Sequence, residues 1–262
     1  MVLPMSAHER LLLLACTALL SLAVALPPMA QPAHLHDFAD QRLLWGIPCA
    51  FDVLSNLPFA IAGVLGLLAL RRLPADGVPP PQRAAAALFF AGLLVTAAGS
   101  AWYHLSPDDP GLAIDRAAMA VAFAGLLGLL AATRVSDRAG WGLSCALLVL
   151  GPASAWTWYA SGNVVPWAVV QFGGIALVLL VLAVTRPLPG ALHVRWAMVL
   201  LAYGAAKLLE VNDLPVFEAS GELLSGHTLK HVVAAFAAWP VIAAVAARRQ
   251  RQNGLPTAAR IA

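Results

Sequence analysis

Four ionisable side chains lie at the ends of long apolar stretches, where they could bind a metal ion or transfer a proton. They are His104, Asp115, His227 and His231. An ionisable group at membrane depth is costly and usually has a function. Histidine nitrogens are common zinc ligands, and a carboxylate can accept a proton from water. These residue types therefore indicate an intramembrane zinc hydrolase site.

The spacing of these residues supports a shared site. Positions four apart lie on one face of a helix, so His227 and His231 can present two imidazoles to one ion, and Ser100 and His104 are related in the same way. If the two helices pack side by side, His104 supplies a third nitrogen. A tetrahedral zinc would then keep its fourth position for water, as catalytic zinc sites do.

Asp115 lies eleven residues after His104, beyond a turn through residues 107–110. This turn is expected to return Asp115 to the depth of His104, where the carboxylate could accept a proton from water or orient a ligand histidine.

Each residue also has a simpler interpretation. A lone histidine can hydrogen-bond between helices, Ser100 can bond to the carbonyl of Thr96, and Asp115 can pair with Arg116 or cap a helix. Their convergence on one membrane face favours the metal site.

The composition excludes an ordinary soluble domain. Of 262 residues, 61% are hydrophobic and only 11% are charged, and the mean hydropathy is +0.80. Such values are typical of a polytopic membrane protein. The apolar runs are continuous and rich in Leu and Ala, whereas barrel strands alternate apolar and polar residues. The predicted fold is an all-α bundle. Eight runs have about the length needed to cross the ~30 Å hydrocarbon core: 11–27, 52–70, 84–103, 112–132, 140–160, 164–185, 194–210 and 227–247.

Three regions follow from these runs. Residues 1–30 form an N-terminal hydrophobic segment, either an extra transmembrane helix or a signal peptide cut after Ala30. Residues 31–250 form a seven-span membrane domain, and residues 251–262 form a short basic tail. The site does not depend on whether the first segment is retained.

Positive charges predict the orientation, because Lys and Arg in short loops tend to remain cytoplasmic. Twelve of the sixteen basic residues fall on one side of the bundle. They are Arg10, Arg71, Arg72, Arg83, Arg134, Arg138, Arg186, Arg195, Arg248, Arg249, Arg251 and Arg260. The C-terminus is therefore expected in the cytoplasm, and the four candidate site residues near the extracytoplasmic face.

Other function classes have little support. The sequence contains no nucleotide-binding glycine loop, no Gly-x-Ser-x-Gly elbow and no convincing internal repeat. The basic tail is explained by topology, and no nucleic-acid partner is expected. Cys16, Cys49 and Cys145 are scattered and predict no disulfide. Lys207 and Glu210 lie one helical turn apart and predict an internal ion pair.

The site pattern resembles the alkaline ceramidase family, within the wider CREST group of seven-span membrane hydrolases. The resemblance rests on Ser100-x-x-x-His104, Asp115 and His227-x-x-x-His231, together with the stretches 51–56 (FDVLSN) and 225–231 (SGHTLKH). It covers about residues 37–248. It implies a seven-helix bundle with an extracytoplasmic N-terminus and a cytoplasmic C-terminus.

The resemblance also implies a reaction, which is zinc-dependent hydrolysis of the amide bond of ceramide, a membrane lipid, to a fatty acid and a sphingoid base. By position, it implies that His104, His227 and His231 bind zinc. Asp115 would be the base or water-orienting acid, and Ser100 an oxyanion donor or a support for the ligands.

A calcium site is a weaker implication of the same family. The stretch Asp37-Phe-Ala-Asp40 resembles the start of an acidic calcium-binding segment, and Asp52 lies near a further expected carboxylate. Phe38, however, stands where a tryptophan is usual, and the carboxylate expected near Cys49 is missing.

Two alternatives remain open. The group also includes progestin and adiponectin receptor-like and haemolysin III-like proteins, so the chain could be a zinc-bearing receptor or channel-like protein. A lipid esterase of the same group is the other alternative. A proton-coupled transporter is less favoured, because no discontinuous helix pair is visible.

Overall fold

The computed structural model describes residues 4–253, and within that range the chain forms helices and no β-strand. Residues 1–3 of the predicted N-terminal segment and residues 254–262 of the predicted tail lie outside the described part. The helices, in chain order, are α1 (Ala7–Ala25), α2 (Ala50–Arg71), α3 (Pro80–Leu105), α4 (Asp109–Arg134), α5 (Asp137–Ser161), α6 (Val165–Val184), α7 (Trp196–Val211), α8 (Asp213–Ala219) and α9 (Gly226–Arg251).

Seven of the described helices are long and apolar enough to cross a membrane: α1 to α6, and α9. Their outer surfaces carry large exposed apolar side chains, including Leu14, Val24 and Val149. Such surfaces are stable against lipid and unfavourable in water. The predicted all-α polytopic bundle is confirmed.

Helix α7 departs from the predicted set of spans. The run 194–210 does form a helix, but its sixteen residues extend only about 24 Å at 1.5 Å per residue, less than the ~30 Å hydrocarbon core. The chain then turns at Asn212 into the short helix α8. The seven long helices therefore include α1, whereas the predicted seven-span core had counted the segment of α7 instead.

The centre of the bundle is α4, which packs between α3 and α5. Small residues let the α3 and α4 backbones approach closely, as they do in many membrane helix pairs. A Cβ atom on Gly92 would lie only 2.4 Å from the backbone nitrogen of Ala122. This close pair places the C-terminal end of α3, with His104, beside the N-terminal end of α4, with Asp115.

Three helices have local irregularities. Helix α2 is interrupted by a turn at Ser55 and Asn56, and α9 contains a 3-10 turn at Phe236–Ala238. Helix α6 contains a π-helical turn at Val169–Gly173. Such departures from α-helical geometry inside a helix often occur at functional sites.

The segment between α1 and α2 crosses the end of the bundle that carries the histidines. Its backbone is fixed at two points: Met29 accepts a hydrogen bond from Val164 (2.9 Å), and Ala39 donates one to the Asp213 carboxylate (2.9 Å). The His36 ring lies 2.9 Å from the Tyr103 hydroxyl and 3.1 Å from Asp109. The segment thereby covers the ends of α3, α4 and α9.

Candidate metal centre

His104, His227 and His231 form one cluster inside this end of the bundle. His104 is at the end of α3, and the other two lie on consecutive turns of α9. One ring nitrogen from each lies within 4.8 Å of the other two. All three side chains are buried, His104 completely. These histidines could therefore hold a metal ion.

The distance between the closest pair of histidine nitrogens shows whether they could bind the same ion. Nε2 of His104 lies 3.2 Å from Nε2 of His227. Two zinc-bound nitrogens at 2.0–2.1 Å in tetrahedral geometry would be about 3.3 Å apart. A neutral imidazole carries a proton on only one nitrogen, so the two lone pairs can be directed at the same ion. The spacing fits a shared ion.

His231 is oriented by a hydrogen-bonded chain that runs into α2. The Ser55 hydroxyl donates to the backbone carbonyl of Asp52 (3.0 Å), and its oxygen lies 2.8 Å from Nδ1 of His231. Because the hydroxyl proton is already directed to Asp52, Nδ1 of His231 is assigned as the donor. Its Nε2 is then left with a lone pair for metal, as in metal sites whose ligands are held by an outer hydrogen bond.

His227 is positioned by the start of α9. The Ser225 hydroxyl accepts a hydrogen bond from the Thr228 backbone at 2.9 Å, which caps the helix. The Asp213 carboxylate accepts one from the His227 backbone at 2.7 Å. Only glycine fits at position 226, because a Cβ there would lie 2.3 Å from the carbonyl oxygen of Leu209. Helix α9 therefore begins in close contact with the end of α7.

Phe38 covers the cluster from the segment between α1 and α2. Its ring centroid lies 4.7 Å from that of His104 and 4.4 Å from that of His227, and the side chain is buried. The ring therefore limits the access of water to two of the three imidazoles. The sequence marked Phe38 only as a departure from the family pattern, and its contact with the histidines was missed.

Ser100 and Asp115 line a cavity of about 70 Å³ together with His231. Both side chains are buried, and one carboxylate oxygen of Asp115 has no hydrogen-bond partner within the described structure. The Ser100 hydroxyl lies within interaction distance of the same carboxylate. A proton acceptor and a hydroxyl donor thus face the same space as one of the candidate metal ligands.

A group of charged residues that also lines this cavity was only partly predicted. Glu210 pairs with Lys207, as expected from their spacing, but also with Lys230, whose Nζ lies 2.7 Å from Oε1 of Glu210. All three line the cavity. The pair between α7 and α9 depends on tertiary packing, so helical spacing could not predict it. Lys230 lies between His227 and His231 in the sequence, and this position was the one available sign that it belongs to the site.

The acidic residues considered for calcium do not form a cluster like that of the histidines. Asp40 accepts two hydrogen bonds from the Arg42 guanidinium, at 2.7 and 2.6 Å, and this contact raises the pKa of Arg42. Asp52 is completely buried and accepts a hydrogen bond from Thr228 at 2.6 Å. Asp37 is exposed. Among the described residues, the histidines are the group whose ligand atoms lie close enough to share an ion, and the calcium site stays a prediction.

A second, apolar cavity of about 130 Å³ adjoins the first one. Five residues line both cavities: Phe59, Thr96, Met119, Tyr203 and Ala234. From there the apolar cavity extends between α4, α6 and α7, where Phe123, Val178 and Leu200 form parts of its wall. The polar cavity beside His231 therefore lies next to a space suited to a hydrocarbon chain.

Comparison with known proteins identifies no family. No family model matches the chain, and no curated protein matches it significantly. The geometry of the site and the sequence pattern therefore carry the functional argument.

Proposed function

We propose that this protein is a zinc-dependent intramembrane hydrolase that cleaves the amide bond of ceramide or a related N-acyl lipid. One observation supports the proposal most directly. Three buried imidazoles converge, and one of them, His231, lines a cavity together with a carboxylate and a hydroxyl, Asp115 and Ser100. A site with three nitrogen ligands and an adjoining polar space is the arrangement expected of catalytic zinc.

His104, His227 and His231 would hold the ion. Three neutral imidazoles suit zinc, although other divalent transition metals bind the same donors. The bound ion would supply a Lewis acid that polarises the substrate carbonyl and makes water more acidic. Ser55 would keep His231 in the tautomer that binds metal, and Phe38 would exclude bulk water.

Asp115 would transfer the proton in the reaction. Its unpartnered oxygen accepts a proton from the attacking water as the water oxygen bonds to the amide carbon. The Ser100 hydroxyl donates a hydrogen bond to the developing oxyanion. When the carbon–nitrogen bond breaks, Asp115 returns its proton to the leaving nitrogen. The elements of water are thereby added across the amide bond. The products are a fatty acid and an amine, and the Asp115 carboxylate is regenerated.

The apolar cavity supports a lipid substrate. It begins beside the polar cavity, so an acyl chain lying in it would bring its carbonyl group towards Asp115 and His231. The similarity of the sequence pattern to alkaline ceramidases agrees with this arrangement. The distribution of basic residues further predicts that the site opens towards the extracytoplasmic leaflet.

Release of fatty acid by the purified, zinc-loaded protein tests the proposal. We expect release from ceramide or another N-acyl amide, more slowly from the matching ester, and almost none by the Asp115→Asn variant. Faster cleavage of the ester would favour the lipid-esterase alternative. A metal-loaded protein that is inactive towards all amides and esters tested would overturn the hydrolase proposal and favour a receptor-like function.

A further inference from the structure

A polar group without a partner lies where the two cavities meet. The Tyr203 hydroxyl is buried and makes no hydrogen bond within the described structure, and Tyr203 lines both cavities. Its ring packs edge to face against Phe123, with centroids 6.1 Å apart. A buried hydroxyl without a partner is unfavourable, so its retention needs an explanation. A ligand in the cavity would provide the missing hydrogen bond.

A second polar side chain lines the same apolar cavity. Gln171 lies in the π-helical turn of α6 and lines a cavity whose wall is otherwise formed mainly by Phe, Leu, Val and Ala. A turn of this kind changes the direction of the side chains within a helix and often marks a functional position. A carboxamide can both donate and accept hydrogen bonds. Of these two residues with polar side chains, Tyr203 is the one that also lines the cavity with Asp115.

The position of Tyr203 relates it to the reacting bond. Met119, like Tyr203, lines both cavities, and it lies one helical turn from Asp115 on α4, a rise of about 6 Å. The boundary between the cavities is therefore near the first carbons of an acyl chain whose carbonyl group lies beside Asp115. A hydroxyl at carbon 3 of such a chain is a suitable partner for Tyr203.

We propose that Tyr203 selects acyl chains that carry a hydroxyl group near the carbonyl, of which a 3-hydroxyacyl chain is the simplest example. This inference rests on the proposed amide hydrolysis, because it places the scissile carbonyl beside Asp115. It adds a substrate class: N-acyl lipids with a hydroxylated acyl chain. Tyr203 acts on specificity and takes no part in the proton transfer.

Binding of the fatty-acid product tests the inference without requiring turnover. The full-length protein in detergent is titrated with 3-hydroxypalmitate and with palmitate, and each competes with a fluorescent fatty acid. We expect the hydroxylated acid to bind about tenfold more tightly, since one well-made buried hydrogen bond can have an effect of this size. Tyr203→Phe should bring the ratio of the two affinities close to one.

Tyr159→Phe is the matched control, because this tyrosine lies on the exposed surface of α5 and lines neither cavity. It should leave the ratio unchanged. Equal binding of the two acids by the unmodified protein would overturn the inference. So would a Tyr203→Phe variant that weakens both acids equally, since that result indicates a structural role.

Hydrolysis supplies the second measurement and separates the two proposals. The unmodified protein should cleave a 3-hydroxyacyl amide with a lower KM than its unsubstituted analogue, and Tyr203→Phe should remove that difference. If the binding preference is present but no amide is cleaved, the proposed hydrolase function is wrong and hydroxyl selection stands. If amides are cleaved without preference, hydroxyl selection is wrong and the hydrolase function stands.

Discussion

Two buried polar clusters lie on different helices of this bundle and differ in how completely their atoms are paired. Glu9 on α1 accepts hydrogen bonds from the Ser136 hydroxyl at 2.6 Å, from Arg138 at 2.8 and 3.2 Å, and from the Ser6 backbone at 2.7 Å. Both carboxylate oxygens therefore have partners. Beside the histidine cluster, by contrast, one carboxylate oxygen each of Asp52 and Asp115 has no partner in the described structure.

The difference separates a structural contact from a candidate binding site. A buried carboxylate with all of its hydrogen bonds made needs no ligand, and the Glu9 cluster joins α1 to the start of α5. Buried polar atoms without partners are unfavourable unless something binds them. Substitutions in the histidine cluster should therefore change metal content or turnover, whereas substitutions in the Glu9 cluster should change stability alone.

The largest effect is expected from His231→Ala. Removing one of three nitrogen ligands should abolish stoichiometric metal binding, and with it hydrolysis, because the two remaining imidazoles hold zinc too weakly. Metal content per mole of purified protein, measured by elemental mass spectrometry, checks this. His193→Ala is the control, since His193 is exposed and outside the cluster. Unchanged metal content in His231→Ala would contradict the proposed ligand set.

Asp115→Asn should remove turnover while preserving the metal. Asparagine has nearly the same shape, but it cannot accept a proton from water, and loss of a general base typically lowers the rate by about 10²–10⁴. The measurement is kcat for fatty-acid release, made alongside metal content. A variant with full activity would exclude Asp115 from the proton transfer, and a variant without metal would indicate a role in holding the ligands.

Much of this arrangement was predictable from local patterns. Apolar length predicted the long helices, and spacing of four residues placed His227 and His231 on one face. The turn after His104 predicted its proximity to Asp115, since a short connection forces α3 and α4 to be antiparallel neighbours. Each of these inferences depends on residues close together in the sequence.

The parts that were missed depend on distant contacts. Ser55 bonds to His231 across 176 positions, and Lys230 reaches Glu210 from another helix. Phe38 covers the histidines because its segment crosses the bundle end. Helical periodicity describes which face a residue occupies, but it does not say which other helix that face meets. The orientation predicted from basic residues and the calcium site remain predictions.

Ser55→Ala should have an intermediate effect. The substitution removes the hydroxyl that orients His231, so the ring loses its fixed tautomer, and loss of such an outer partner typically weakens metal affinity by about 10- to 100-fold. Competition with a chelator of known affinity measures the change. Ser161→Ala is the control, because Ser161 is exposed at the end of α5 and its hydroxyl bonds only to the Thr157 carbonyl and the Asn163 backbone within the described structure. An unchanged affinity would mean that packing alone orients His231.

Glu9→Gln should have the smallest effect, and one of a different kind. The amide loses the charge-assisted hydrogen bonds to Arg138, but the guanidinium is half exposed, so the expected cost is only about 1–2 kcal/mol. Thermal unfolding in detergent should show a lower transition temperature, with metal content and turnover unchanged. Glu218→Gln, an exposed carboxylate on α8, should change none of these. If Glu9→Gln lowered metal content without destabilising the fold, the two clusters would be coupled, and complete pairing would no longer distinguish the structural cluster from the functional one.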